Sequence, residues 1–500
     1  NLPGGDQMRA SGVLMPVSSI PSEFGIGCFS REAYDFVDQL AAAGQRYWQI
    51  LPMGPTGYGD SPYQSCSTFA GNPYFIDMKT LIEDGLLTQE ECESCDWGGS
   101  PCYVDYEKVY QSRFLLLRKA YDRTDLRGNR EYEEFVRQQG HWLWDYALFM
   151  AIKDARGGKS WTEWPKELQN HQSHSVEQAR TELKDEINFY CFQQYLFSVQ
   201  WMKLKAYANE KGVYVIGDVP IYVAPDSSDA WANPELFQFD ENYSPRAVAG
   251  CPPDAFSATG QLWGNPLYDW RKHKEEGYLW WTRRMIRCME FYDVVRIDHF
   301  RGFDEYYSIP YGDKTAENGH WEKGPGLELF HVLNSRIESL RVIAEDLGFL
   351  TESVFKMVRE SGYPGMKVLQ FAFDESESSC YLPYKYEKNC VVYTGTHDNE
   401  TTKGWLAGLN SHDSSFVRAY TDCDGKTPEE CVWGLIRAAQ ASVADLCVIP
   451  VQDYLCLGNE ARMNTPSTLG DNWKWRLAKG QITEKLLKRI RSLTALYGRL

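Results

Sequence analysis

Long apolar runs and basic clusters are both missing from this 500-residue sequence. No stretch approaches the roughly 18 to 20 apolar residues that a membrane-spanning helix needs, and no signal-peptide-like apolar segment follows the first residues. The 69 acidic side chains outnumber the 52 basic ones, which gives a formal charge of −17. We therefore expect a soluble protein with neither a membrane nor a nucleic acid as partner.

The sequence also lacks the short motifs of cofactor enzymes. No Gly-x-Gly-x-x-Gly opens a helix after the first predicted strand, and no metal, nucleotide or flavin motif is evident, so we expect no cofactor and no metal. The 14 cysteines are scattered, which favours reduced thiols. Cys92, Cys95 and Cys102 would supply three zinc ligands, but a closed site needs four. We predict ordinary thiols there, with a redox role for Cys92 and Cys95 as the alternative.

Aromatic residues, in contrast, are abundant. They make up 14% of the chain and include 17 Trp and 31 Tyr. Flat apolar rings with polar edges suit stacking on sugar faces, while their OH and NH groups bond to hydroxyls. Most of these rings serve the core, so the composition is compatible with a sugar-binding protein but does not define one.

Short apolar runs rich in β-branched residues alternate with segments of helical period. The predicted strands are residues 12–16, 47–51, 213–219, 293–298, 341–345, 367–372, 390–394 and 446–451. The helical patterns include residues 31–43, 327–340, 351–360 and 428–444. This alternation is typical of a parallel sheet, and eight strands favour a closed barrel over an open sheet. We therefore predict an α/β fold, a (β/α)8 TIM barrel with helical insertions between strands.

One interval interrupts the alternation. Residues 81–209 contain long helical patterns, at 131–154 and 176–209, and no predicted strand. No repeat or low-complexity tract is visible. We therefore predict a single catalytic barrel over residues 1–500, with 81–209 as a mostly helical insertion after the second strand.

Three acidic residues lie at or just beyond the ends of predicted strands: Asp298, Glu345 and Asp398. The carboxyl ends of barrel strands converge on the mouth where active sites lie, so we expect these residues to meet. Retaining glycosyl transfer needs a carboxylate nucleophile and a second carboxyl, about 5 Å away, that acts first as acid and then as base. Two of the three acids fill these roles, and the third stabilises charge on the sugar or holds its hydroxyls.

Arg296 supports this interpretation because it lies two residues before Asp298, on the same face of the strand. Its guanidinium is expected to keep Asp298 ionised. Glu345 must be protonated for half of the cycle, so we predict that burial near other acids raises its pKa. The structural alternative makes Asp298 and Asp398 helix caps and Glu345 a loop acid. An Arg and two His beside the three acids favour catalysis.

Seven ordered segments resemble the amylomaltase or disproportionating-enzyme family over nearly the whole chain. They are residues 10–16, 25–27, 48–55, 61–64, 217–223, 263–268 and 459–466. The resemblance implies a retaining 4-α-glucanotransferase that acts on α-1,4-glucans, such as maltooligosaccharides and starch chains. It further implies that Asp298 is the nucleophile, Glu345 the general acid/base and Asp398 the transition-state stabiliser.

The same resemblance implies residues for sugar binding. Those implied at the scissile subsite are Asp218, Arg296, His299 and His397. Those implied in neighbouring subsites are Tyr63, Trp263, Asn265 and Asn464. Each has a structural alternative: packing at the barrel mouth for the Tyr and Trp, loop stabilisation for the two Asn, and satisfied core groups for the two His.

The segment at 251–262 departs from many bacterial relatives. Ala255 stands where they have an aromatic ring, which puts one loop contact with a long glucan in question. In this segment the chain is similar to the plastidial disproportionating enzymes of plants and algae. Together with a first residue that is not Met, the similarity predicts a removed transit peptide and a plastid stroma location, with the bacterial cytoplasm as the alternative.

Two other functions fit the same acids. A retaining α-amylase-type hydrolase would differ only in how its acceptor subsites compete with water. A catalytically silent glucan-binding scaffold is the third hypothesis, and the complete acid set argues against it. A homodimer is one assembly that the sequence leaves open.

Overall fold

Parallel strands form the centre of the computed structural model, which describes residues 9–255, 257–348, 350–374 and 380–500. The strands are β1 Ala10–Leu14, β2 Tyr47–Gln49, β3 Tyr214–Pro220, β4 Ala247–Cys251, β5 Gln261–Pro266, β6 Val294–Asp298, β7 Glu305–Pro310, β8 His320–Lys323, β9 Val342–Ala344, β10 Gly365–Val368, β11 Cys390–Tyr393 and β12 Leu446–Pro450. Eight of these described strands pair in parallel in the order β10-β11-β12-β1-β2-β3-β6-β9. The N–H of Ala344, at the end of β9, donates to the carbonyl of Pro364 at 2.9 Å, just before β10, so the sheet curls almost to closure.

This arrangement confirms the predicted (β/α)8 barrel. Each predicted strand overlaps one barrel strand, because parallel strands buried on both faces appear in a sequence as short apolar runs. The barrel interior is filled by inward-facing side chains such as those of Leu14, Tyr47, Ile216, Ile343 and Val391, all buried. The strands therefore carry a packed core that leaves only their carboxyl ends available for a site.

Helices surround the barrel. Those of the described residues are α1 Arg31–Ala42, α2 Met78–Glu83, α3 Gln89–Glu93, α4 Tyr106–Asp122, α5 Arg130–Ala155, α6 Lys166–Gln169, α7 His174–Glu182, α8 Lys184–Glu210, α9 Ser228–Ala232, α10 Trp270–Glu275, α11 Leu279–Phe291, α12 Leu327–Arg336, α13 Glu352–Ser361, α14 Thr402–Ala407, α15 Ser411–Tyr420, α16 Pro428–Ala441, α17 Val451–Tyr454 and α18 Glu484–Leu496. In α1 the residues Ala33, Phe36, Val37 and Leu40 are buried at helical spacing, which explains why this segment is a helix. Among the described helices, none combines the length and apolar character needed to cross a membrane.

The chain between β2 and β3 holds helices α2 to α8. The long helices α5 and α8 pack against each other. The pattern at 176–209, predicted as one helical stretch, contains a break: α7 ends at Glu182 and α8 begins at Lys184. That residues 1–500 form a single barrel domain with 81–209 as an insertion remains a prediction.

A second, four-stranded antiparallel sheet was not predicted. Its strands pair in the order β5-β4-β7-β8. The register between β4 and β5 shifts between Val248 and Gly250, so these two strands show no clear alternation of apolar residues. All four residues of β8 are at least partly exposed, so β8 shows no such alternation either. This sheet matters for the site because β5 carries Trp263 and Asn265.

Candidate active site

The carboxyl ends of barrel strands bring the predicted acids to one mouth. Asp298 is the last residue of β6, and Glu345 follows β9 directly. The register pairs Ile297 with Ala344, so Asp298 and Glu345 come next on adjacent strands, which lie about 4.8 Å apart in a sheet. Asp398 lies in the loop after β11.

Arg296 contacts two carboxylates, those of Asp218 and Asp298. Its Nη1 lies 2.9 and 3.0 Å from the two carboxylate oxygens of Asp218 and 3.2 Å from Oδ1 of Asp298. The register places Asp218 of β3 directly opposite Arg296 of β6, so strand pairing itself sets this contact. Both residues are buried, and each compensates the charge of the other.

The two acids on adjacent strands differ in how firmly they hold a proton. Burial raises the pKa of Asp298 to about 6, against the opposing effect of Arg296. Burial and then the charge of Asp298 raise the pKa of Glu345 to about 7. The direction for Glu345 is the predicted one. For Asp298 the prediction considered only the guanidinium, whereas burial has the larger effect. Because the charge of Asp298 adds to the effect of burial on Glu345, Glu345 holds a proton more firmly than Asp298 does.

Glu345 is held in place by backbone amides. Its Oε2 accepts the N–H of His299 at 2.8 Å, and its Oε1 accepts the N–H of Leu347 at 2.7 Å. His299 adopts the left-handed conformation, with φ 55°, and this turn immediately after Asp298 directs its amide toward Glu345. Two backbone amides therefore fix both carboxylate oxygens of Glu345.

Asp398 is surrounded by donors. Asn464 Nδ2 donates to its Oδ1 at 2.7 Å, and His397 Nε2 lies 3.3 Å from its Oδ2. Burial alone would raise the pKa of Asp398, but the charge and hydrogen bond of His397, together with Asn464, hold that pKa below its usual range. Burial likewise opposes the charged form of His397, but Asp398 outweighs it and raises the pKa of His397. Asp398 therefore stays ionised across the physiological pH range.

Tyr63 links the two halves of the site. Its O–H donates to Asp218 Oδ2 at 2.5 Å, and its ring stacks on His397 with centroids 4.9 Å apart. The indole of Trp473 contacts both rings, at 5.8 and 5.9 Å. The structure thus brings Tyr63 and His397 to the acids as the resemblance implied.

On the other side of the mouth, Trp263 meets His299 edge to face, with centroids 4.9 Å apart. Burial lowers the pKa of His299 to about 3, so this imidazole is neutral, and its buried Nε2 has no hydrogen-bond partner among the residues that the structure describes. Asn265 is buried, and its Nδ2 donates to the carbonyl of Val223 at 2.9 Å. That contact corresponds to the loop-stabilising alternative, and a glucan contact of Asn265 stays a prediction.

The predictions about the cysteines, a metal site and Ala255 concern residues other than those described at the barrel mouth. All 14 cysteines are unpaired thiols. Burial raises the pKa of Cys92 to about 11, which leaves little reactive thiolate at neutral pH. Within the described ranges no group of three His, Cys, Asp or Glu side chains is placed to hold a metal ion. Ala255 is exposed, and the neighbouring Phe256 lies outside the described residues.

Three contributors to the site were not predicted: the amide of Leu347, Arg462 and Trp473. Arg462 donates to the main-chain carbonyls of Asp398 and Asn464, both at 2.8 Å. A backbone amide leaves no signal in a sequence. Arg462 lies within the segment 459–466, which resembles the family, and Trp473 follows that segment by seven residues. Their position in or near this segment is the signal by which the sequence could have pointed to them.

The site as a whole is a barrel mouth with two half-buried carboxyl groups on adjacent strands and a third, firmly ionised carboxylate across the mouth. Retaining enzymes of glycoside chemistry require two neighbouring carboxyl groups, and Asp298 and Glu345 on adjacent strands form such a pair. Comparison with known proteins narrows this class.

A family model described as 4-alpha-glucanotransferase matches residues 15–483. The 4-alpha-glucanotransferase of Clostridium butyricum is 47% identical over 97% of this chain and 100% of its own length. The chloroplastic/amyloplastic 4-alpha-glucanotransferase DPE1 of Arabidopsis thaliana is 39% identical over 100% of this chain and 87% of its own. The solved structure of an amylomaltase from Streptococcus agalactiae in complex with acarbose is 39% identical, with a TM-score of 0.95, over 98% of this chain and 99% of that one. The chain belongs to the 4-α-glucanotransferase family, the amylomaltases, and the resemblance carried by its sequence motifs is confirmed.

Proposed function

We propose that this 4-α-glucanotransferase moves α-1,4-glucan segments between chains by double displacement, with Asp298 as nucleophile and Glu345 as acid/base. The observation that carries the proposal is the placement of two carboxyl groups at the carboxyl ends of adjacent strands, Asp298 at the end of β6 and Glu345 directly after β9. Burial raises the pKa of both, and the charge of Asp298 raises that of Glu345 further. Such a pair supplies one anion and one proton donor at the same pH.

In the first step a carboxylate oxygen of Asp298 attacks the anomeric carbon of the donor glucan. The bond from that carbon to the glycosidic oxygen breaks, and the proton of Glu345 passes to the departing oxygen. In the second step Glu345 removes the proton from the 4-hydroxyl of an acceptor glucan, whose oxygen displaces Asp298. Each step inverts the anomeric carbon, so the product keeps the α configuration.

The remaining charged groups stabilise the sugar during this exchange. Asp398, held ionised by His397 and Asn464, lies across the mouth where positive charge develops on the ring. Asp218 and Arg296 form the buried ion pair behind the nucleophile. We assign these residues, with His299 and His397, to the scissile subsite.

The aromatic residues of the mouth fit the neighbouring subsites. Tyr63 and the half-buried Trp263 present ring faces of the kind that stack on sugars. Acarbose occupies the related Streptococcus agalactiae amylomaltase, and we infer maltooligosaccharides and starch chains as substrates here. Asn265 and Asn464 complete the assignment.

Maltotriose as the sole substrate distinguishes transfer from hydrolysis. Transfer yields glucose and longer maltooligosaccharides at a constant number of reducing ends, whereas hydrolysis shortens the chains and increases that number. Asp298→Asn removes the anionic nucleophile with little change of shape, and it is expected to abolish both reactions. An active Asp298→Asn enzyme would refute the mechanism, and rising reducing ends in the native enzyme would make it a hydrolase.

The compartment and the assembly are further parts of the proposal. The relatives include bacterial enzymes as well as the plastid enzyme of Arabidopsis thaliana, so we keep the plastid stroma with the bacterial cytoplasm as its alternative. A full-length fluorescent fusion in the source cell separates the two: signal confined to chlorophyll-containing organelles supports the plastid. Light scattering of the purified protein tests the homodimer.

A further inference from the structure

A cluster of three rings beside the acids, formed by Tyr63, His397 and Trp473, includes one residue, Trp473, that no motif singled out. The indole of Trp473 lies 5.8 Å from the ring of Tyr63 and 5.9 Å from that of His397. Only 6% of Trp473 is exposed, so its indole offers no face to a glucan in the open mouth. Its influence on the reaction must therefore pass through the two rings that it contacts.

The backbone of Trp473 is held in a conformation that bulky residues avoid. Its φ is 64°, in the left-handed region, where a side chain crowds the neighbouring peptide. Its N–H donates to the carbonyl of Met463 at 2.6 Å, and its own carbonyl accepts the O–H of Tyr106 at the start of α4. Two separate segments thus hold the strained residue, and strain kept in this way points to a function of the side chain.

The ring cluster contacts carboxylates in both halves of the site, Asp218 in one and Asp398 in the other. Tyr63 donates to Asp218, whose carboxylate pairs with Arg296 behind the nucleophile. His397 contacts Asp398 at 3.3 Å. Tyr63 therefore contacts Asp218, His397 contacts Asp398, and the indole of Trp473 packs against both rings.

We propose that Trp473 is a positioning residue of the transfer reaction. By packing against Tyr63 and His397 it fixes their ring orientations, and through them it holds the carboxylates of Asp218 and Asp398. The inference rests on the proposed roles of those acids. Because a shift of about 1 Å at a reacting group can reduce the rate about 10²-fold, loss of the indole affects the chemical step more than binding of the ground state.

Two substitutions separate the ring from the backbone. Trp473→Gly suits the left-handed backbone but removes the ring, whereas Trp473→Phe keeps a ring against Tyr63 and His397. With maltotriose, we expect kcat to fall about 10- to 100-fold in Trp473→Gly and to return to within about fivefold of native in Trp473→Phe, while KM changes less than about threefold. Wild-type kcat in a folded Trp473→Gly enzyme would overturn the proposal.

Trp475 provides the matched control. It lies two residues further along, is equally buried at 5%, and packs in the core outside the barrel rather than in the interior cluster that contains Trp473. Trp475→Leu is expected to lower the melting temperature but leave kcat within about twofold of native. If both variants lose kcat in proportion to stability, Trp473 is merely structural.

A double-mutant cycle with Tyr63→Phe gives a readout that a structural role would not move. If Trp473 acts through Tyr63, the Tyr63→Phe substitution lowers kcat at least about fivefold less in the Trp473→Gly background than alone. Additive losses contradict the proposal. Should Trp473→Gly fail to fold, Tyr106→Phe removes only the bond to the Trp473 carbonyl, and it is expected to lower kcat about 2- to 10-fold. An active Asp298→Asn enzyme would refute the proposed function itself, whichever result the Trp473 variants give.

Discussion

Substitution of Glu345 by Gln tests the proposed division of roles between the two half-buried acids, Asp298 and Glu345. The amide keeps the shape of the side chain but has no transferable proton. With maltotriose as donor the leaving group is a sugar hydroxyl that needs this proton, so we expect kcat/KM to fall about 10²- to 10⁴-fold. With α-maltotriosyl fluoride the leaving group is fluoride, which needs no proton, so formation of the glucosyl-enzyme is expected to stay within about tenfold of native.

The pH dependence of kcat/KM provides a second, independent test of the roles of Asp298 and Glu345. Activity of the native enzyme requires ionised Asp298, so kcat/KM rises as pH increases through about 6, and it requires protonated Glu345, so kcat/KM falls as pH increases through about 7. The two limbs together give a bell-shaped profile of kcat/KM against pH. In Glu345→Gln with the fluoride donor the alkaline limb disappears, while the acid limb stays near 6.

The assay follows fluoride release in the first turnover. Because Gln cannot act as the base for the acceptor, the second step is slow, and a burst of fluoride equal to the enzyme concentration is expected. Mass spectrometry of the quenched protein locates the sugar on Asp298. An equal loss with both donors, or an alkaline limb that persists in Glu345→Gln, would refute the assignment of Glu345 as acid/base.

Three further substitutions test other contacts. Arg296→Gln leaves Asp218 buried without its ion-pair partner, so we expect the free energy of unfolding in urea to fall by about 3–5 kcal/mol. The substitution also removes the charge that opposes protonation of Asp298, so the acid limb of kcat/KM is expected to move above pH 6. An unmoved acid limb would contradict this cause. Asn464→Leu removes the 2.7 Å bond to Asp398 and is expected to lower kcat about tenfold, whereas unchanged kinetics would make that bond incidental. Gly217→Ala places a Cβ 2.2 Å from the ring of Tyr292 and is expected to cost about 1–3 kcal/mol in urea unfolding, while Gly99→Ala, which meets open space, serves as its control.

The barrel strands were readable from the sequence for a physical reason. Parallel strands buried on both faces need continuous apolar runs, and such runs at 213–219 and 446–451 correspond to β3 and β12. The antiparallel sheet could not be read in the same way. In β8 every residue is at least partly exposed, so its sequence shows no apolar run. The strands β4 and β5 pair across a register shift, so their sequences show no clear alternation.

The sequence predicts those residues of the candidate site that are charged and lie at the end of a predicted strand. Asp298 and Glu345 fall into this group, and barrel geometry alone brings them together. The direction of the pKa shift of Asp298 could not be predicted from the sequence, because burial, which raises this pKa, outweighs the Arg two residues earlier, which lowers it, and the sequence does not show how much water reaches the carboxylate. The amide of Leu347 and the left-handed turn at His299 depend only on backbone conformation, which their side chains do not report.

Under the proposed mechanism, the order of causes behind the two pKa values also explains how Glu345 serves as acid and then as base. After burial, the charge of Asp298 is the largest cause that raises the pKa of Glu345. When Asp298 attacks the sugar it becomes an ester and loses that charge, while Arg296 and the amides of His299 and Leu347 remain beside Glu345 and favour its anion. The pKa of Glu345 must therefore fall at the moment when its proton has gone to the leaving group. Glu345 thus stays ionised in the glucosyl-enzyme, ready to accept the proton of the incoming 4-hydroxyl, and its proton affinity rises again when Asp298 is released.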